Sequence, residues 1–147
     1  MIRLTRAALS VAVSLLALQH VFAEPSAAVQ TRCFRFSDQP GKLVQLRLIG
    51  TQDDNKAGFV LYAGSKAWIP LVLSRSQVIP MADSGRNQVD EEWVEIVHDQ
   101  VTGRYLLSMF GNEVNSFEYV NRKNGAKTEF TLAPRLHDIN PCEARWQ

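Results

Sequence analysis

Apolar and polar residues alternate with a period of two along most of the chain beyond residue 30. That is the spacing of half-buried β-strands rather than of helices. The clearest instance is 42–48, where Val44, Leu46 and Leu48 share one face while Gln45 and Arg47 take the other. The same alternation predicts strands over 31–36, 58–63, 66–73, 76–81, 93–98, 104–110, 113–121 and 126–132. Turn-formers separate them: the polar run 53–56, Gly64-Ser65, 99–103, Gly111-Asn112 and Asn124-Gly125. Gly58, Gly64, Gly103, Gly111 and Gly125 are spaced as turn residues. Pro70 inside 66–73 predicts an edge or a bulge there, and Pro80 weakens 76–81. No stretch beyond residue 25 repeats its apolar positions every 3.6 residues between caps. About eight short strands at near-regular spacing predict an all-β fold, a small antiparallel β-barrel or sandwich.

Asn124-Gly125 is the strongest hairpin signal. A two-residue loop there pairs Lys123 with Ala126, Asn121 with Thr128, Tyr119 with Phe130 and Phe117 with Leu132. The apolar side chains then fall on one face, and Arg122 opposite Lys127 leaves the tip solvated.

Residues 1–23 have a different pattern. Arg3 and Arg6 precede the apolar run 7–18, Val21-Phe22-Ala23 offers compact residues before a cut at Glu24, and Pro25 stops a helix. This reads as a secretory signal peptide, since the run falls short of the roughly 20 residues a membrane span needs. No later segment is long and apolar enough to cross a bilayer. Residues 24–147 then form one mature domain. Cleavage takes two of the 16 basic residues, leaving 14 against 15 acidic ones and a charge near −1. That near-neutral balance excludes an electrostatic grip on nucleic acid or membrane. An ordinary 46% hydrophobic, 21% charged composition excludes a disordered or collagen-like chain.

Export changes the meaning of the only two cysteines. In an oxidising compartment, Cys33 and Cys142 predict one disulfide joining the two ends of the domain. Closing so long a loop stabilises by about 4–5 kcal/mol. No Cys-x-x-Cys is present, so the bridge is structural.

Catalytic patterns are scarce. His98-Asp99 and His137-Asp138 offer imidazoles beside carboxylates for a metal, but they lack an H-E-x-x-H spacing and read as surface turns. No G-x-S-x-G elbow accompanies Ser84. Asp90-Glu91-Glu92 offers a carboxylate pair for glycosidic chemistry, but adjacent acids read more simply as a solvated edge. No catalytic residue, metal or cofactor is therefore expected. Trp68, Trp93, Phe34, Phe59, Tyr62, Tyr105, Phe110, Phe117 and Tyr119 either fill the core or line a cavity for one apolar molecule.

The longest polar stretch between strands is 82–92. It is expected to project into solvent, with Asp83, Ser84, Gly85, Arg86, Asn87 and Gln88 forming a partner-binding tip. Export, the β-barrel outline and Ser84-Gly85 resemble the bacterial periplasmic lysozyme inhibitors. That family inserts a Ser-Gly-x-x-Tyr loop into the lysozyme cleft; here the tyrosine position is Gln88, so only Ser84 and Gly85 carry over. The resemblance implies an inhibitor. The sequence thus leads to a non-enzymatic periplasmic or secreted protein that blocks a cell-wall hydrolase or toxin. The alternatives are a carrier of an apolar ligand and a minor hydrolase using His98 or His137.

Overall fold

The computed structural model describes residues 28–50, 56–82, 85–134 and 142. The expected signal peptide at 1–23, Asp53 to Asn55, Asp83, Ser84, His137 and Asp138 lie outside them. The strands are β1 (Ala28–Phe36), β2 (Leu43–Gly50), β3 (Lys56–Tyr62), β4 (Ile69–Pro80), β5 (Asn87–Val97), β6 (Gln100–Phe110), β7 (Glu113–Asn121) and β8 (Lys127–Leu132). They form a closed antiparallel barrel in chain order. β8 returns to β1 through Phe34–Leu132, Arg35–Thr131 and Phe36–Phe130. Of the two predicted forms, the barrel is the one adopted.

Alternation aims one side chain in two at the axis, which explains the core. Phe34, Val44, Val60, Trp93, Tyr105 and Phe117 are almost wholly buried. Their rings pack together: Phe34 lies tilted at 4.5 Å from Phe117, and Tyr105 stacks on it at 5.6 Å. Each such side chain contributes about 1.5–3 kcal/mol through burial. Not every aromatic joins them. Phe59 shares an outward row with Arg47 and Pro70, and Trp68 lies beneath the Arg47 guanidinium at 4.7 Å.

Two strand-interior glycines face the axis as seats for rings. A Cβ on Gly58 would stand 2.9 Å from Trp93, and one on Gly103 would stand 2.3 Å from Tyr119. Neither is the turn residue that its spacing predicts.

The disulfide joins Cys33 to Cys142, with Cα atoms 5.6 Å apart. It sits on the outer face of β1 and β2, where both cysteines pack with Leu43 and Ala133 in a second apolar cluster. Gln45, predicted to face solvent, does point outward but is buried beside this cluster.

Three local expectations are corrected. The strands predicted at 66–73 and 76–81 are one strand, β4, with a bulge between Leu73 and Arg75. Pro70 and Pro80 fall at its two ends, where a missing N–H costs little. The stretch 82–92 is mostly not a loop, because Asn87 to Glu92 are the first half of β5, paired to β4 and β6. The Asn124-Gly125 loop has four residues, not two. Asn121 bonds Ala126, and Gly125 donates to Asn121 with φ at 69°. The register therefore slides by two: Phe117 faces Phe130, Tyr119 faces Thr128 and Val120 faces Lys127. A slip of two keeps every side chain on its predicted face, but it leaves Leu132 half exposed.

Candidate functional site

The upper end of the barrel carries the start of β1 and the connections β2–β3, β4–β5 and β6–β7. Among the described residues, β3 meets β4 no higher than Ala57–Val72. Above that row, 73–80 pairs with β5 alone and rises as an arm. Val78 and Met81 are exposed on it. Of the predicted tip, Gly85 (φ 63°) and Arg86 lie in the turn, while Asn87 and Gln88 are strand residues. Arg86 does not project; its guanidinium lies over the Phe110 ring at 4.8 Å. Gln88 lies on the outer wall and donates to Asp90 at 2.9 Å. It borders a shallow open groove of about 390 Å³ with Arg75, Gln77, Asp90 and Ser116.

Inside the upper mouth is a group that the sequence reading missed. Glu91 points inward and is almost fully buried. Lys56 donates to its Oε1 at 2.6 Å, and the Trp93 indole donates to its Oε2 at 3.1 Å. Arg32 also faces inward, donating to the Asn112 carbonyl at 3.0 Å, with Met109 sulfur 4.0 Å away. A recess of about 100 Å³ opens here between Gln30, Leu48, Lys56, Glu91, Trp93 and Met109.

A second inward carboxylate, Glu95, lies four residues further along β5 toward the lower end. It accepts from Thr102 at 2.6 Å, Tyr105 at 2.8 Å and Tyr119 at 3.0 Å. Tyr62 adds a link, its hydroxyl 2.5 Å from that of Tyr105. Burial, reinforced by the Glu95 charge, pushes the Tyr62 hydroxyl up to about 12. Burial likewise raises Tyr105 and Tyr119 well above the usual phenol range. All three remain neutral donors, which suits holding a carboxylate rather than attacking a substrate.

These placements bear on the chemical readings at the described residues. Glu91 and Glu95 are separated by roughly 13 Å of strand, beyond the spacing of glycosidase carboxylates. Each already has its oxygens occupied. His98 and Asp99 are the two central residues of the β5–β6 turn, both with positive φ (51° and 60°) and both exposed. Among the described residues no group of histidine, cysteine and carboxylate side chains has the arrangement of a metal site.

The exterior is two-sided. Outward positions of β1, β2, β3 and lower β4 carry Arg35 and Arg47 but no acid, whereas those of β5 to β8 include Asp90, Glu92, Glu118 and Glu129. Across the first side runs a row of apolar partners, Val29–Ile49–Ala57–Val72, with Val29 and Val72 more than half exposed. No family model, curated protein or solved structure matches the chain. Function must therefore be argued from these features alone.

Proposed function

We propose that this is a non-enzymatic binding protein of the periplasm or extracellular space. In this reading it is an inhibitor or immunity protein that docks the upper end of its barrel on a cell-wall hydrolase or toxin. The observation that carries the reading is the β4–β5 arm above a barrel whose centre is packed with aromatic and aliphatic side chains, leaving only a small recess at the mouth. The inward side chains pack on one another, so an enclosed ligand carrier is the less favoured reading. The arm offers Val78 and Met81 as apolar contacts, Arg86 held by Phe110, and the turn containing Gly85. A preformed hairpin loses little conformational freedom on docking.

The test is a binding and inhibition assay of the oxidised mature domain against a panel of purified peptidoglycan hydrolases. The expected result is a stoichiometric complex with one enzyme and loss of that enzyme's activity. The Val78→Asp variant and the Ser84→Ala, Arg86→Ala double variant should weaken the complex at least tenfold while keeping the β-sheet spectrum. Full binding by both variants would remove the arm from the interface, and no inhibition across the panel would end the inhibitor reading.

A further inference from the structure

We propose that the recess in the upper mouth is a binding site for a short aliphatic group of three to four carbons. Its charged lining is satisfied internally, and Gln30 at the rim leaves an amide free to meet a polar head on the ligand. Lys56 and Glu91 neutralise each other, and the second Glu91 oxygen is taken by the Trp93 indole. Among the described residues, Leu48 and Met109 supply apolar walls above the edge of the Trp93 ring.

The recess is held open by its floor. Trp93 is 1% exposed, its N–H is fixed on Glu91, and its ring lies against the bare backbone of Gly58, where a Cβ would come within 2.9 Å. A ring fixed in this way cannot slide upward to fill the space, so the void is built in rather than a relaxed packing defect. One wall, Met109, is an unbranched side chain able to adjust to different occupants. A volume of about 100 Å³ is that of three to four methylenes at roughly the 30 Å³ of a liquid water each. Apolar voids of comparable size do take up small apolar guests. The aliphatic group could belong to a free small molecule or to a leucine-sized side chain of a docked protein. The site does not rest on the inhibitor reading, because its occupation by a free probe needs no partner.

The test is a chemical-shift titration of the Trp93 indole N–H in the oxidised mature protein, assigned by elimination with Trp68→Phe and Trp146→Phe. The probes are ethanol, propanol, butanol, hexanol and octanol. Saturable shifts are expected, with affinity rising about fourfold per methylene as far as butanol and then levelling. An Ala28→Phe variant, which crowds the entrance, should lose the response while keeping the wild-type sheet spectrum. N-acetyl-leucine amide separates the two sources. Binding at least equal to that of butanol means a polypeptide side chain can enter; exclusion of the amide with retention of butanol assigns the site to free ligands. A linear, non-saturating shift, or affinity that climbs unbroken to octanol, overturns the proposal.

Discussion

Gly103→Ala tests the seating of Tyr119 on β6 in both sign and size. Gly103 does not have positive φ, so its backbone accepts alanine. On chain entropy alone, the exchange should stabilise by about 0.4–1 kcal/mol. The ring reverses that sign. The new methyl would stand 2.3 Å from Tyr119 Cε2 and from its hydroxyl, against about 3.5–4 Å for ordinary carbon contact, so the ring must retreat by more than 1 Å. Retreat breaks the 3.0 Å bond to Glu95 Oε1, and a hydrogen bond to a charged group contributes about 1.5–3 kcal/mol. It also loosens the contact with Tyr105, whose ring centroid is 4.8 Å away. Net destabilisation should be about 2–3 kcal/mol, or roughly 8–12 °C in Tm for a domain of this size. The assay is urea unfolding of the oxidised protein followed by circular dichroism, repeated in a Tyr119→Leu background. Without the ring, Gly103→Ala should be neutral or stabilising. An equal loss in both backgrounds would refute the reasoning, since the cost would then arise from the backbone.

Other outcomes follow from the same structure. Replacing both Cys33 and Cys142 by serine releases a closure spanning 109 residues. It should cost up to about 4.8 kcal/mol, seen as a lower urea midpoint, and a loss under 1 kcal/mol would mean the unfolded chain is compact without the bridge. His98→Asn with Asp99→Gly places preferred residues at the two positive-φ turn positions and should stabilise by about 1–2 kcal/mol in the same assay; no gain would show that the native side chains offset the strain locally. All three tyrosines of the chain lie in the Glu95 cluster. Their folded pKa values are raised, so above the ordinary phenol value the unfolded chain binds fewer protons and stability falls as pH rises. For Tyr62 the loss runs from about pH 10 to about 12. Phenolate absorbance should stay flat until the sheet signal collapses, then rise with it; phenolate forming near pH 10 in folded protein would contradict the buried network.

How far the sequence could be read depended on whether the deciding contact was local. Val44, Leu46 and Leu48, and Phe117 with Tyr119, share a face because strand alternation alone requires it, and so the barrel wall was legible. The acidic run Asp90-Glu91-Glu92 misled because its neutralising cation is Lys56, 35 positions earlier. The signal was nevertheless present: Glu91 and Glu95 alternate with Trp93 and had to share its inward face. The proline-marked stretches merged because Pro70 and Pro80 occupy strand ends and the bulge after Leu73 absorbs the change in register. Of the six residues expected at the binding tip, the structure places Gly85 and Arg86 in a turn and Asn87 and Gln88 in β5. Polarity alone does not separate an exposed strand from a loop.

The way the barrel closes makes the place at which its strand order begins nearly arbitrary. Every strand is bonded to its neighbours in sequence, the first and last are bonded to each other, and the disulfide ties β1 to Cys142, beyond the end of β8. Topologically the domain is a ring with one nick. A permuted chain opened between His98 and Asp99, with Cys142 linked back to Ala28, keeps every strand pair. It also relieves the two positive-φ residues of the turn. In such a permutant the β1–β8 seam, held by three register pairs, becomes an ordinary connection within the chain, and the disulfide changes from a clasp on the ends to an internal staple.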